Sequence, residues 1–301
     1  MNKIVMKSAA VAAMMVGAAA AAVAGERVEL NGAGGSFPAP LYQKWCYSYT
    51  QEGKGAKVNY QSVGSSAGIS QIKAGTIDFA GTDAPLSAAD CEKAGLDQFH
   101  MVSGAVVPAV NVPGVANGAL VLDGATLSDI FLGKITRWND AKIAALNPGL
   151  KLPELKITVV HRGDGSGTTH IFTSYLTAVS EEWKKNYGAA TQLKWPCGIA
   201  GQKNPGVCNN VRRIKGAIGY TEYTFALESK LNIAKISVNG KVEEPTSASW
   251  PILGKTYILT RKDASAEKKA AMQAYFDWCF KNGGEMAKKL FYIPEIGRAH
   301  V

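Results

Sequence analysis

The sequence predicts an α/β fold with central sheets, because short runs rich in Val and Ile alternate with amphipathic stretches along the chain. The runs with strand character are residues 57–60, 106–112, 157–160, 217–220 and 257–260. The stretches with helical periodicity are residues 67–73, 126–132, 169–176 and 264–281. The length of the chain fits one large domain or two of ordinary size.

The first element is an apolar run over residues 8–23 that follows the positively charged Lys3 and Lys7. The run ends in Ala22-Val23-Ala24, which is the small-x-small pattern that signal peptidase reads. A transmembrane anchor is the alternative, but a bilayer requires roughly 20 apolar residues. We therefore expect residues 1–24 to be a cleaved signal peptide of a periplasmic protein. Because no cysteine precedes Cys46, we expect no lipid anchor.

The formal net charge of +9 favours anionic partners. The Lys and Arg residues are dispersed, however, and their longest runs are the pairs at 184–185 and 212–213. No basic stripe is interleaved with stacking aromatic residues, so we expect no nucleic-acid partner. The histidines lack metal-ligand spacing, and no Ser stands in a Gly-x-Ser-x-Gly elbow.

Five cysteines in an exported chain suggest at least one disulfide. Cys197 and Cys208 bracket a loop rich in Gly, Pro and Asn, and we predict that they pair. The sequence does not determine partners for Cys46, Cys91 and Cys279. The alternative remains that all five are small buried side chains.

Three turns rich in Gly and Ser each follow a predicted strand and open an amphipathic helix. They span residues 32–40, 64–68 and 165–168. Such a turn leaves backbone N–H groups unpaired at the positive end of the helix dipole, and its hydroxyls add further donors. A single turn of this kind is usually only a helix cap. If the three converge, they form a cage of donors for an oxyanion.

Charged residues next to these turns would complete the cage. Arg162 offers a planar fork of donors suited to a tetrahedral anion, and Asp164 can hold that fork in place. Asp83 repels an anion unless the ligand still carries a proton to donate, as hydrogen phosphate does and sulfate does not. An acceptor in a cage of donors therefore selects the protonated ligand. The alternative for Asp83 is a turn cap before Pro85.

At these positions the chain resembles the periplasmic phosphate-binding proteins, the substrate-binding components of phosphate ABC transporters (the PstS family). The resemblance rests first on GAGGSFPAPLYQKW, VNYQSVGSSAG and IDFAGTDAPL. It continues through LVLDGATLSDIFLGKITRWND, RGDGSGTTHIFTSYL and GAIGYTEY, and it covers nearly the whole chain after residue 24.

The resemblance implies a set of phosphate-binding residues. One domain supplies Ser36, Phe37 through its backbone N–H, Ser65 and Asp83, and the other supplies Arg162, Ser166, Gly167 and Thr168, with Asp164 supporting Arg162. Except for Phe37, these are residues that the physical argument also selects.

The resemblance also implies the type II periplasmic-binding-protein fold, in which two α/β domains are joined by two crossing strands and the ligand lies in the interdomain cleft. We expect the first crossing near residues 107–111 and the return near residues 250–258. Domain I would comprise residues 25–109 and 251–295, and domain II residues 110–250. Residues 296–301 match one translated frame of a common sequencing adapter, and we expect them to be non-native.

We therefore expect a monomeric binding protein, not an enzyme, that has no cofactor, captures inorganic phosphate with high affinity and delivers it to an ABC-type permease. One alternative is a receptor for another protonated oxyanion, such as arsenate or a phosphonate. Another is a phosphatase-like secreted enzyme, although the sequence groups neither a nucleophile with a base nor a set of metal ligands. A surface adhesin on the same scaffold is a third.

Overall fold

The computed structural model describes residues 27–53 and 55–295. The predicted signal peptide, residues 1–24, and the predicted non-native tail, residues 296–301, lie outside these residues. None of the helices formed by the described residues has both the length and the apolar character that crossing a membrane requires.

Strands and helices alternate along most of the chain. The strands are β1 (Glu29–Gly34), β2 (Lys57–Ser62), β3 (Phe79–Thr82), β4 (Leu96–Val110), β5 (Val121–Asp123), β6 (Thr158–Arg162), β7 (Ile199–Gly201), β8 (Ala217–Glu222), β9 (Asn232–Ile233), β10 (Lys235–Val238), β11 (Lys241–Glu243), β12 (Leu253–Arg261) and β13 (Ile293–Pro294). The helices are α1 (Ala39–Glu52), α2 (Ser65–Lys73), α3 (Ala88–Ala94), α4 (Gly124–Phe131), α5 (Ala141–Leu146), α6 (Gly167–Val179), α7 (Glu181–Asn186), α8 (Lys203–Arg213), α9 (Tyr223–Glu228), α10 (Ala266–Asn282) and α11 (Gly284–Lys289). The predicted α/β class is confirmed.

Ten of these strands form one sheet, whose path runs β2-β1-β3-β12-β4-β8-β6-β7, with β9 and β13 also pairing with β4. The pairs β1–β2, β1–β3, β6–β7 and β6–β8 are parallel, whereas β12 runs antiparallel to β3 and β4. A second sheet contains β11, β10 and β5. The parallel pairs need crossover connections, which the helices between them provide.

Strand β4 connects the two halves of the large sheet. Its residues 96–105 pair with β12, and its residues 106–110 pair with β8. We call β2, β1, β3 and β12 the first half, and β8, β6 and β7 the second half. The expected first crossing at residues 107–111 thus falls where β4 enters the second half. Trp250, at the start of the expected return, donates from Nε1 to the carbonyl of Val106 at 2.9 Å.

The sequence of β4 explains why it occupies the middle of the sheet. Val106, Val107 and Ala109 have no exposed surface. A strand that is covered on both faces reads as a continuous apolar run rather than as an alternating one. The run therefore marks the strand that is shared by both halves.

Local signals set the ends of the helices that matter for the site. Helix α6 begins after Ser166, whose Oγ accepts a hydrogen bond from the backbone N–H of Thr169 at 3.0 Å. Helix α1 ends at Gly53, which has a left-handed φ of 71° that glycine adopts without steric cost. Helix α10 begins two residues later than predicted because Ser265 caps it and Ala264 lies outside.

Aromatic packing fixes α6 against the second half of the sheet. Phe172 of α6 stacks on Tyr220 of β8 with ring centroids 4.4 Å apart, and Phe131 of α4 packs edge-on against Phe172 at 4.7 Å. All three rings are buried. Burying one such side chain stabilises a fold by about 1.5–3 kcal/mol, so the helix that carries the third turn is held firmly.

The predicted disulfide between Cys197 and Cys208 is not formed, and all five cysteines are free thiols. Cys208 lies on the buried face of α8, where its Sγ donates to Thr221 Oγ1 at 3.4 Å. The Cys197 Sγ instead faces the carbonyl of Phe131 at 3.7 Å. The helix turns one thiol into the core beside β8, so the two sulfurs lie in different surroundings although the loop between them is short.

Candidate functional site

The three turns rich in Gly and Ser lie at the carboxyl ends of parallel strands. The first turn joins β1 to α1, the second joins β2 to α2, and the third joins β6 to α6. The first two belong to the first half of the sheet and the third to the second half. In open α/β sheets, ligands bind in the crevice beyond these strand ends.

Gly34 holds the first and second turns together. Its carbonyl accepts hydrogen bonds from the backbone N–H groups of Val63 at 2.9 Å and Gly64 at 2.8 Å. Gly34 has a φ of 148°, and a side chain at this position would overlap the carbonyl of Gly81. Only glycine allows this close approach, which aligns the starts of α1 and α2.

Ser65 links the second turn to the third. Its Oγ accepts a hydrogen bond from the backbone N–H of Gly167 at 3.1 Å and lies 3.4 Å from Asp83 Oδ2, to which it donates. Beside it, the N–H of Ser66 donates to the carbonyl of Gly165 at 3.2 Å. Ser65, Asp83 and Gly167 therefore lie together, with the two halves of the sheet in direct contact.

Gly167 has no space for a side chain in this arrangement. A Cβ atom there would lie 2.5 Å from both Asp83 Oδ2 and Ser65 Oγ. The absence of a side chain therefore lets the start of α6 approach the carboxylate. In general, the first N–H groups of a helix have no partner within the helix, so this end supplies donors.

Asp83 is a buried carboxylate that lacks a full set of partners. Its side chain is at the end of β3 and only 2% of its surface is exposed. Oδ1 has no hydrogen-bond partner. Burial raises the pKa of Asp83 to about 7, although the neighbouring Thr256 hydroxyl and the charge of Arg162 act to lower it. A buried, unpartnered acceptor requires an explanation, and a ligand that donates a proton provides one.

Arg162 and Asp164 form a two-point ion pair at the end of β6. Arg162 Nε donates to Asp164 Oδ1 at 2.8 Å, and Nη2 donates to Oδ2 at 2.5 Å. The Arg162 side chain is 1% exposed and that of Asp164 is 17% exposed. Burial acts to raise the pKa of Asp164, but the hydrogen bonds and charge of Arg162, with the N–H of Lys203, hold it below its usual value. The pair fixes the orientation of the guanidinium and leaves Nη1 to bond to a group other than Asp164.

The remaining third-turn residues surround that guanidinium. Arg162 Nη1 donates to Thr168 Oγ1 at 3.4 Å. Ser166 uses its hydroxyl as the cap of α6. Tyr220, from β8, accepts a hydrogen bond from the backbone N–H of Arg162 at 3.1 Å and pairs with the hydroxyl of Thr169 at 2.7 Å. These contacts position the whole turn from within the second half.

The first turn brings Ser36 and Phe37 to the same place. Ser36 Oγ accepts hydrogen bonds from Asn204, from the backbone N–H at 3.3 Å and from Nδ2 at 3.0 Å. Phe37 is fully buried, and its carbonyl accepts from the Tyr292 hydroxyl at 2.7 Å. Asn204 Nδ2 also lies 3.3 Å from Thr168 Oγ1. Through Asn204, the first turn is thus joined to the third.

The structure brings the nine predicted residues together in one cluster where the three turns meet. Eight of them are buried and Asp164 is partly exposed. The structure also adds residues that the sequence argument missed. Asn204, Tyr220 and Thr256 contact that cluster, and each is buried. Asn204 stands in a fourth turn, residues 201–206, which contains two glycines and opens α8. These residues belong to the stretch rich in Gly, Pro and Asn between Cys197 and Cys208, and that composition does not single out Asn204.

The chemistry of the cluster is that of an oxyanion site. Hydroxyls, helix N-termini and one guanidinium are donors, and Asp83 adds one acceptor with a free oxygen. Within residues 27–53 and 55–295, no three His, Cys, Asp or Glu side chains are grouped so that they could hold a metal ion.

Comparison with known proteins identifies the family and the fold. The family model of the PBP superfamily domain matches residues 18–282. The phosphate-binding protein PstS of Xylella fastidiosa (strain Temecula1) is 43% identical over 298 residues, covering 89% of this chain and 81% of that protein. PstS of Haemophilus influenzae is 40% identical over 297 residues, covering 88% of each. A solved structure of a high-affinity periplasmic phosphate-binding protein, PfluDING, bound with phosphate, has the same fold, with a TM-score of 0.72 and 20% identity over 89% of this chain and 90% of that one.

Proposed function

This chain belongs to the family of PstS phosphate-binding proteins, and we propose that it captures inorganic phosphate in the periplasm and delivers it to an ABC-type permease. Proteins of this family are substrate-binding components rather than enzymes. The single observation that carries the proposal is the meeting of the three turns around Asp83 and Arg162, two buried and oppositely charged groups.

The proposed phosphate ligands are the donors of that cluster. They are the hydroxyls of Ser36, Ser65, Ser166 and Thr168, the backbone N–H groups of Phe37 and Gly167, and the guanidinium of Arg162, which Asp164 orients. In this proposal the Ser65 hydroxyl and the Gly167 N–H, which donate to Asp83 and to Ser65 in the structure, turn to the anion when it binds. Charge-assisted hydrogen bonds to an anion are about twice as strong as neutral ones, and burial strengthens them further.

Asp83 supplies selectivity in this proposal. Its free Oδ1 accepts the proton that hydrogen phosphate still carries. Sulfate brings no proton, so the carboxylate would face it as an unmatched buried charge. Such a mismatch is costly because neither group has water to solvate it. Arsenate has the same shape and proton, and the argument does not separate it from phosphate.

We propose that capture works by closure of two domains over the anion. Domain I comprises residues 25–109 and 251–295, and domain II residues 110–250, with β4 and the segment around Trp250 as the two connections. The contacts Ser65–Gly167 and Ser36–Asn204 join the two sides, which is what a closed cleft requires. In the same proposal the protein acts as a monomer, exported by residues 1–24 without a lipid anchor.

Titration calorimetry with phosphate, sulfate and arsenate tests the proposal. We expect phosphate to bind tightly at pH 8 and sulfate to bind at least about a thousandfold more weakly. Equal affinity for phosphate and sulfate, or no binding of either, would contradict it. Turnover of an aryl phosphate would point to the enzyme alternative instead.

A matched pair of variants assigns the binding to the site. Arg162→Ala removes the guanidinium from the cluster, and we expect phosphate affinity to fall at least about a hundredfold. Arg261 forms the same kind of two-point pair with Asp263, two residues along, but at the surface at the end of β12. Arg261→Ala should leave phosphate affinity unchanged.

A further inference from the structure

We propose that Asn204 is a positioning residue that forces the hydroxyls of Ser36 and Thr168 to donate to the bound anion. The inference rests on the proposed phosphate site and assigns a role to a residue outside the proposed set of ligands. Asn204 lies in the first turn of α8, has no exposed surface, and contacts both hydroxyls.

The argument begins with the capacity of a hydroxyl. A serine or threonine hydroxyl has one hydrogen to donate and two lone pairs that accept. Ser36 Oγ accepts from the Asn204 backbone N–H at 3.3 Å and from Nδ2 at 3.0 Å. Both lone pairs are therefore in use, so the Ser36 hydrogen is all that remains for a ligand.

Thr168 is in the same situation. Its Oγ1 lies 3.4 Å from Arg162 Nη1 and 3.3 Å from Asn204 Nδ2, and both of these nitrogens can only donate. The two hydrogens of one amide nitrogen thus serve two hydroxyls, one from each half of the sheet. Each hydroxyl is left as a donor.

The orientation of the Asn204 amide is itself fixed. Its Oδ1 accepts from the backbone N–H of Glu222 at 3.2 Å and from the Thr221 hydroxyl at 3.1 Å. A backbone N–H is always a donor, so the amide oxygen must face β8 and the amide nitrogen must face the hydroxyls. The arrangement cannot flip without leaving buried polar groups unpaired.

Fixing these two hydroxyls as donors limits the number of proton acceptors around the anion. A free hydroxyl could turn and offer a lone pair to a second ligand proton. With Ser36 and Thr168 held as donors, neither hydroxyl can accept a second ligand proton, so neither competes with Asp83 as an acceptor. Asn204 thereby helps the site to select an anion that donates one proton, the proton that Asp83 accepts.

Calorimetric titration of phosphate against four proteins tests this role. They are the unmodified chain, Asn204→Leu, Thr168→Val and the double variant, and Thr168→Val keeps the shape of the side chain while removing its hydroxyl. We expect Asn204→Leu to weaken binding about tenfold, the effect of one lost hydrogen bond to a charged group. In the Thr168→Val background the same change should cost only about threefold, because one of the two oriented hydroxyls is already gone.

Thr168 and Asn204 both lie on the second-half side, so their coupling does not report on closure of the cleft. An equal loss from Asn204→Leu in both backgrounds would mean that Asn204 only supports the fold, and this would overturn the inference. Asn147 is the control, since it is a buried asparagine whose amide bonds only to backbone groups of Val121 and Ile143. Asn147→Leu should lower stability and leave phosphate affinity unchanged.

A second variant tests the inference if Asn204→Leu folds poorly. Asn204→Asp keeps the oxygen that faces Thr221 and Glu222 but replaces the donor nitrogen by an acceptor, and we expect at least about a hundredfold weaker phosphate binding. Retained affinity in this variant would overturn the inference. If the unmodified chain binds no phosphate, the proposed function fails, and this inference fails with it. If it binds and the losses are additive, the inference alone fails.

Discussion

Replacing Asp83 by Asn tests whether this carboxylate selects ligands by their proton. A ligand without a proton, such as sulfate, can occupy the closed site only if Asp83 takes up a proton from solvent. The direction follows from the pKa, since burial raises that of Asp83 from 3.8 to about 7, and the closed site therefore favours the protonated form. Sulfate binding should thus weaken as pH rises, whereas phosphate brings its own proton and gains no such benefit from acid.

We expect the open cleft to hydrate Asp83 and to return its pKa to the ordinary value of 3.8, from which burial in the described structure raises it to about 7. The magnitude is then the cost of protonating such a hydrated carboxyl group. At about 1.36 kcal/mol per pH unit, this cost is about 6 kcal/mol at pH 8 and about 2 kcal/mol at pH 5. Sulfate should therefore bind about a thousandfold more tightly at pH 5 than at pH 8, or about tenfold for each unit.

The assay is calorimetric titration of sulfate at four pH values between 5 and 8. For Asp83→Asn we expect an affinity for sulfate that hardly changes over this range and that exceeds the unmodified protein's affinity at pH 8. Glu222→Gln is the control, because burial also raises the pKa of Glu222, to about 8, yet this carboxylate caps α9. Glu222→Gln should keep the tenfold loss of sulfate affinity for each unit of rising pH. A slope that is absent in the unmodified protein, or that persists in Asp83→Asn, would refute the reasoning.

Three further predictions concern the packing, the charge and the thiols. Gly167→Ala places a methyl group 2.5 Å from Asp83 Oδ2 and Ser65 Oγ, so phosphate affinity should fall more than about a hundredfold in calorimetry, and the urea unfolding free energy should fall by about 1–3 kcal/mol. Unchanged affinity would show that the two halves do not close in this way. Arg162→Lys loses the two-point pair with Asp164, and we expect about ten- to a hundredfold weaker phosphate binding, against no change for Arg261→Lys. Because the five cysteines are free, dithiothreitol should leave the melting temperature unchanged; a drop of several degrees would indicate a disulfide worth about 2–4 kcal/mol.

Much of the fold could be predicted because its signals are local. The runs at residues 57–60 and 217–220 fall inside β2 and β8, and the stretch at residues 67–73 falls inside α2. The periodic pattern of each element can be read from its own few consecutive residues. The strands β9 and β11 have two and three residues, which is too few for a periodic pattern.

The residues of the candidate site also differ in whether a local sequence pattern can reveal them. The three turns, and the Arg162–Asp164 pair two residues apart, carry their signal within a few positions. Asn204 could not be found in this way, because its partner Ser36 lies 168 positions away and only the tertiary fold joins them. The disulfide prediction failed for the converse reason. Cys197 and Cys208 are close in sequence, but α8 directs one of the two thiols into the core.

The most direct test of the account is a crystal structure of the protein with phosphate. We predict a phosphate oxygen about 2.5–3.0 Å from Asp83 Oδ1, with the Arg162 guanidinium and the start of α6 donating to the other oxygens. A phosphate bound elsewhere, or one in this cleft that leaves Oδ1 without a partner, would contradict the account.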